Sequence, residues 1–215
     1  GNVTLTSGSV VVNHGVIETT SNGILEIQSG THVTNHGAMH MNGNNLNSGG
    51  IVENYGYIDD VGELHVNGGS FLNACTVANA DRIINGGAMT NSGFFVVSGV
   101  GGFFTNNGTL SQEPNAVIAG AEFVNDGTVS GGGSYHFTGS TKNQDPFHGS
   151  DPGNPTNFYD VTRTPPPVYF DIQNSAPSNV TRMAFTPPTS AQALENCSTS
   201  PPEANLSVTK SNGLD

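Results

Sequence analysis

Acidic side chains gather in one stretch of the first half of the chain, at Asp59, Asp60, Glu63 and Asp81. Carboxylates act as general acids and bases, and their oxygens also bind calcium. A lyase or hydrolase site needs a positioned base or cation beside them, and Arg82 is the basic residue nearby among 5 Lys and Arg in all. We therefore predict no enzyme and no required cofactor, with calcium as the ion that these acids could hold.

Two histidines occupy the same place in neighbouring copies of a repeated motif, His14 and His36. If the copies stack as strands, the imidazoles lie about 4.8 Å apart and form a candidate metal pair. The other candidate ligands are Asp59 and Asp60. Structural zinc sites take four ligands, and no third ligand stands at the equivalent positions, so we predict exposed imidazoles and no metal.

The 2 cysteines, Cys75 and Cys197, are far apart in sequence and fit no metal-binding spacing such as Cys-x-x-Cys. We predict a long-range disulfide between them, which suits an oxidising, extracellular setting. In the chain-entropy model, closing so long a loop contributes about 4 to 5 kcal/mol.

The elements that must position these residues come from a motif that recurs seven times, G-x-x-Φ-x-N-x-G-x-Φ, where Φ is apolar. The first glycine and both Φ positions keep their character in every copy. Cys75 replaces the second glycine in one copy. The motif asparagines are Asn13, Asn35, Asn54, Asn73, Asn91, Asn106 and Asn125.

Successive motif asparagines are 22, 19, 19, 18, 15 and 19 residues apart, which is close to one coil of a narrow β-helix. Strand side chains alternate between two faces, so the Φ, Asn and Gly positions share one side, which must face inward. The sequence predicts an all-β fold, a right-handed parallel β-solenoid of about seven coils with a Pro-rich C-terminal appendage. Each coil would hold a motif strand and a second arc of variable length.

Stacking places equivalent residues of neighbouring coils directly above one another. We therefore predict that all seven motif asparagines form one inward amide ladder, a structural feature rather than a catalytic one. Each side chain would hydrogen bond to its neighbours and to backbone at a bend, because a buried unpaired polar group costs about 1 to 3 kcal/mol.

The motif fails after Gly139, where turn signals such as Asp151-Pro152-Gly153 begin. We predict a solenoid over residues 1–139, a linker over 140–156, a Pro-rich β appendage over 157–199 and a linker with a C-terminal strand over 200–215. By alternation, several apolar side chains should form an outer apolar face that the appendage covers: Val12, Val16, Ala38, Tyr57, Leu72, Phe94 and Val124.

Charge excludes some partners. The formal net charge is −12, with 17 Asp and Glu against the 5 basic residues, and no basic patch is available to neutralise phosphates. Nucleic acid and membrane insertion are therefore not expected, and no run of about 18 apolar residues is present.

The residues from Ala204 to Asp215 read A-N-L-S-V-T-K-S-N-G-L-D. They resemble the opening strand of the Ig-like conserved repeat domain (domain of unknown function 11, DUF11), which occurs in tandem in bacterial surface proteins. The N-x-G coils resemble the solenoids of filamentous-haemagglutinin-like and autotransporter-passenger proteins. These resemblances imply a bacterial protein that is secreted or displayed at the cell surface, without catalytic residues.

We accordingly expect a structural or adhesive extracellular β-solenoid, either a self-assembling surface fibre subunit or an adhesin stalk. Its expected partners are other copies of the chain, joined by head-to-tail stacking or strand donation, and host or surface carbohydrate. The alternative is a carbohydrate-binding or carbohydrate-active β-helix, because lyases and hydrolases with parallel β-helices carry acidic clusters like Asp59, Asp60 and Asp81.

Overall fold

The computed structural model describes residues 2–20, 23–59, 61–98, 101–150, 155–163, 169–197 and 206–209. The predicted site residue Asp60 lies outside these residues, as do most of the C-terminal linker and strand region. The described chain is a parallel β-solenoid of about eight turns, which confirms the predicted fold class. Each turn contributes one strand to each of three sheets.

The three sheets, named A, B and C, run the length of the stack. Sheet A holds β1 (Val3–Leu5), β4 (Ile24–Ile27), β7 (Asn45–Ser48), β10 (Glu63–Val66), β13 (Arg82–Asn85), β16 (Phe103–Asn106), β19 (Glu122–Asn125), β22 (Thr141–Asn143) and β25 (Ile172–Gln173). Sheet B holds β2 (Val10–Asn13), β5 (His32–Asn35), β8 (Ile51–Asn54), β11 (Ser70–Asn73), β14 (Ala88–Asn91), β17 (Thr109–Gln112), β20 (Thr128–Gly131) and β23 (Phe147–Gly149). Sheet C holds β3 (Val16–Glu18), β6 (Ala38–His40), β9 (Tyr57–Asp59), β12 (Thr76–Ala80), β15 (Phe94–Val97), β18 (Val117–Gly120), β21 (Ser134–Phe137), β24 (Thr156–Asp160) and β26 (Val180–Thr181).

Alternation along each strand sets the core. In β8, Val52 and Asn54 are buried while Glu53 faces outward, and the strands above and below repeat this pattern in register. The interior is therefore a set of stacked apolar columns, such as Val33, Val52, Phe71 and Met89 in sheet B. Burying each such side chain contributes about 1.5 to 3 kcal/mol.

The N-x-G segment is the tight corner between sheets B and C. Gly37 and Gly56 stack at this corner, and a Cβ added to Gly56 would lie 2.0 Å from the Gly37 carbonyl oxygen. So close an approach leaves little room for a Cβ, which explains why the second motif glycine recurs in six of the seven copies, with Cys75 in the other.

The structure differs from the predicted solenoid in three ways. Three strands complete a turn where a motif strand and one second arc were expected, and the stack has about eight turns where seven were predicted. The solenoid also continues beyond Gly139, because β22, β23 and β24 extend the three sheets and β25 and β26 begin a ninth, partial turn. The predicted domain boundary at residue 139 is therefore wrong: pairing of backbone groups continues although the motif ends.

An aromatic cluster fills the core of the last turns. Phe147, Phe158 and Phe170 are fully buried, and the Phe158 and Phe170 ring centroids are 4.2 Å apart. Phe170 comes from the loop that leads into β25, so a side chain of the partial turn covers the end of the core. Asp160 is also buried in the last turns and accepts a hydrogen bond from the Thr141 hydroxyl at 2.6 Å.

The chain then turns back and runs along the outside of sheet C. The Asn157 Nδ2 donates to the Met183 carbonyl at 2.9 Å, and the Met183 N–H donates to the Asn157 Oδ1 at 2.7 Å. The ring centroids of Phe185 and His136 are 5.4 Å apart. A helix, α1 (Ser190–Cys197), packs over β12 and β15. The covering segment is thus residues 182–197 rather than the whole predicted appendage, whose first part belongs to the stack.

The covered surface is smaller than the predicted outer apolar face. The predicted residues divide among the three sheets, with Val12 on B, Tyr57 on C and Val124 on A. Under α1 the outward side chains are small and fully buried, such as Thr76 and Ala78. No helix in the described part of the chain has the length and apolar character to span a membrane.

A last strand, β27 (Leu206–Thr209), pairs antiparallel with β2 at the edge of sheet B. The register joins Val10 to Thr209 and Val12 to Ser207. The chain's own C-terminal strand therefore occupies the sheet B edge of the first turn.

Tyr135, which is buried, and Tyr169, which is partly buried, should respond in opposite ways to loss of the side-chain hydroxyl. The Tyr135 hydroxyl is buried without a hydrogen-bond partner in the described chain, whereas the Tyr169 hydroxyl donates to the Val180 carbonyl at 2.7 Å. We expect Tyr135→Phe to raise the free energy of unfolding by about 1 kcal/mol and Tyr169→Phe to lower it by about 1 kcal/mol. Urea unfolding of both variants measures this, and a destabilised Tyr135→Phe protein contradicts the assignment.

The same hydroxyl predicts a pH dependence. Burial raises the pKa of Tyr135 above its ordinary value of 10.0, so above pH 10 the unfolded chain loses this proton while the folded chain keeps it. Stability should therefore fall as pH rises above 10, and the advantage of Tyr135→Phe should widen there. Thermal melts between pH 8 and pH 11 test the change, and a constant difference between the two proteins contradicts it.

Candidate functional site

The inward asparagines form two amide ladders, not the single predicted ladder. The first ladder stands at the B to C corner, where each Nδ2 donates to the Oδ1 of the next asparagine at 2.7 to 2.9 Å. Its members are Asn13, Asn35, Asn54, Asn73 and Asn91, and Gln112 takes the next place. All are buried.

The second ladder stands at the A to B corner. Asn106 and Asn125, which were predicted to continue the first column, belong here because their strands β16 and β19 lie in sheet A. Asn85 and Asn143 complete the column, and the three amide to amide hydrogen bonds are each 2.8 Å. The separation of 15 residues between Asn91 and Asn106 is the step from one ladder to the other.

The side-chain amides of each ladder also donate hydrogen bonds to backbone carbonyls. The Asn54 Nδ2 donates to the Thr76 carbonyl at 3.0 Å, and the Asn106 Nδ2 donates to the Thr128 carbonyl at 3.1 Å. The amides thus tie each corner to the turn above it. Their chemistry is structural, since every donor and acceptor faces the interior.

The predicted histidine pair stacks outside this corner. The His14 and His36 rings are nearly parallel with centroids 5.0 Å apart, and Tyr55 continues the stack at 5.2 Å from His36. Two nitrogens that share one zinc ion lie at most about 4.2 Å apart, because each bond is about 2.1 Å. Parallel rings at this separation do not converge on one ion.

The predicted acidic residues are divided among other partners. Asp59 accepts from His40, with 2.6 Å between Oδ1 and Nδ1, and the Tyr57 hydroxyl lies 3.5 Å from the other His40 nitrogen. Partial burial, and then the Asp59 carboxylate, raise the pKa of Tyr57. Asp59 therefore orients an imidazole on the outer face of sheet C.

Glu63 and Asp81 lie instead beside Arg82, at the start of the sheet A strands β10 and β13. Within the described ranges, no group of three His, Cys, Asp or Glu side chains could hold a metal ion. Calcium binding by these acids has no further support in this geometry.

Cys75 is buried at the second glycine position of the first ladder's corner. The next residue, Thr76, donates from its hydroxyl to the Ala193 carbonyl of α1 at 2.8 Å. The helix that ends at Cys197 therefore packs beside Cys75, although the Cys197 side chain is not among those described. The disulfide stays a prediction.

Several polar contacts were missed from the sequence. Asn85 and Asn143 lack the glycine five residues earlier that defined the motif, and Gln112 is a different residue type. The pairing of His32 with Glu53, at 2.9 Å, joins neighbouring strands that the motif had already aligned, so alternation could have found it.

The ladder predicts a large cost for one interior amide. Asn54→Ala removes the amide that donates to the Asn73 Oδ1 and the Thr76 carbonyl and takes one of the acceptors of Asn35, and it should lower the free energy of unfolding by about 2 to 4 kcal/mol. Asn47→Ala, on the outer face of the same turn, should change it by less than about 0.5 kcal/mol. Urea unfolding compares them, and equal effects would contradict the ladder's role.

Comparison with known proteins leaves the family open. No protein-family model matches the chain, and neither the curated proteins nor the solved structures contain a match. The resemblances to DUF11 and to filamentous-haemagglutinin or autotransporter-passenger solenoids thus rest on sequence motifs, and the β-solenoid architecture is what the structure establishes.

Proposed function

We propose that this chain is a non-enzymatic structural module of an exported protein, a stiff β-solenoid that serves as a surface stalk or fibre subunit. The observation that carries the proposal is the unbroken parallel register of sheet A, nine strands deep. Eight inter-strand spacings of about 4.8 Å give a rod of roughly 38 Å. Pairing on three sides of every turn makes such a rod resist bending, as a stalk or fibre requires.

An extracellular setting is part of the proposal. A disulfide from Cys75 to Cys197 would tie α1 to the fourth turn and belongs to oxidising compartments. The packing of Thr76 against Ala193 supports this pairing, because it brings the two cysteine-bearing segments together.

The disulfide has a direct test. Peptide mapping of the unreduced protein by mass spectrometry should recover one peptide pair linked through Cys75 and Cys197. In Cys197→Ser, amide hydrogens of α1 should exchange faster, while those of β5, remote from the helix, should not change. Quantitative alkylation of both thiols in the unreduced, denatured protein contradicts the bond.

Self-association is the second part of the proposal, and the geometry favours one of its two expected routes. Phe170 fills the core at the last turn, and β25 and β26 have two residues each, which leaves little strand for head-to-tail stacking. Strand donation fits better, because β27 pairs antiparallel with β2 and eight residues separate it from α1. The same pairing between two copies would exchange β27.

Cysteine pairs across this register test strand exchange. Val12→Cys with Ser207→Cys places two thiols on register partners, within disulfide range. We expect cross-linked dimers whose yield rises with protein concentration. Thr34→Cys with Ser207→Cys is the matched control, since Thr34 lies one strand further along, and should cross-link little.

Sedimentation of the unmodified chain over the same concentrations completes the test. A dimer that forms with rising concentration supports exchange. A monomer at every concentration, with cross-links confined within one chain, contradicts self-association and leaves a monomeric stalk.

A further inference from the structure

A groove runs along one edge of sheet A, across four successive turns. Its volume is about 650 Å³, and its floor is formed where sheet C passes to sheet A, by Gly43, Gly62, Asp81 and Gly101. Three of these four corner residues have no side chain, so the surface is concave here. A Cβ on Gly62 would lie 2.5 Å from the Gly43 carbonyl oxygen, whereas Gly43 and Gly101 have φ angles of 75° and 74°, which side chains rarely accept.

One outward column forms the wall of the groove. Glu63, Arg82 and Phe103 are register partners on successive strands. Asn45 continues the column, because it comes one residue before Leu46, the register partner of Leu64, just as Glu63 comes one residue before Leu64. Their side chains therefore follow one another along the axis of the solenoid at intervals of about 4.8 Å. A ligand bound here would be an extended chain with a short repeat.

Arg82 is oriented but its hydrogen-bonding groups remain available. Its guanidinium carbon lies 4.0 Å from the centroid of the Phe103 ring, and this stacking uses the face of the guanidinium rather than its in-plane N–H groups. The nearest carboxylate oxygen, on Glu63, is 3.8 Å from Nη1, beyond hydrogen-bond distance. The side chain is 43% exposed, so a ligand in the groove can reach these donors.

Charge and chemistry restrict the class of ligand. Glu63 and Asp81 bring two negative charges and Arg82 one positive charge, so an anionic chain meets a net repulsion. The wall offers amide, carboxylate and guanidinium groups, which together donate to and accept from hydroxyls. We propose that this groove binds a neutral oligosaccharide lying along the solenoid axis. The proposal goes beyond the structural role and does not depend on strand exchange.

Isothermal titration calorimetry of the full chain with maltohexaose, cellohexaose and mannohexaose tests the site, with a hexamer of galacturonate as the anionic comparison. We expect at least one neutral hexasaccharide to bind and the anionic one to bind more weakly. Arg82→Ala should weaken binding about tenfold or more, the value of one charge-assisted hydrogen bond. Thr105→Ala, on the neighbouring outward column of the same sheet, should bind as the unmodified chain does.

The circular dichroism melt of Arg82→Ala shows whether the variant is folded, and Arg82→Gln provides a second variant that retains donors without charge. The proposal is overturned if no neutral hexasaccharide binds at millimolar concentration, if the galacturonate hexamer binds more tightly, or if both Arg82 variants bind like the unmodified chain.

Discussion

A buried side-chain amide must find its hydrogen bonds inside the protein, and in this solenoid it finds them on the neighbouring turns. Asn35, for example, accepts from Asn13, donates to Asn54 and donates again to the Tyr57 carbonyl. A slip of one residue in a strand that carries a ladder residue would turn its amide outward and deprive its neighbours of hydrogen bonds. Contacts between apolar side chains are non-directional and define the register only loosely. The ladders, whose hydrogen bonds are directional, therefore fix it.

The register in turn determines the surface. Because equivalent positions of successive turns lie directly above one another, outward side chains form columns along the axis. A local surface shape that recurs in each turn therefore extends along the solenoid. The bare corners beside sheet A become a groove in this way, and the outward side of sheet C becomes a surface that residues 182–197 cover. The length of the connections varies most at the corners from sheet C to sheet A, which carry no ladder.

The sequence predicted the parallel solenoid because its glycine and asparagine pattern is restrictive. Few backbone arrangements place a tight glycine corner beside a buried side-chain amide. The sequence did not reveal which corner of the turn each motif occupies. The A to B and B to C corners use the same N-x-G segment, so the motif cannot distinguish them. The interval of 15 residues before Asn106 was one sign, and the additional N-x-G segment at Asn85 was another. The last turns carry no motif and are held by aromatic packing around Phe158, which has no periodic signature.

Helix α1 did have a local signal in the sequence. Thr189 and Gln192 form a capping box, in which the backbone N–H of each donates to the side chain of the other.

Two ladders, not one, hold the turns in register. Nuclear Overhauser contacts between side-chain amide protons of the isotope-labelled protein distinguish the two arrangements. Two ladders should give contacts from Asn85 to Asn106 and from Asn91 to Gln112. A contact between Asn91 and Asn106 instead would restore the single column and contradict the arrangement described above.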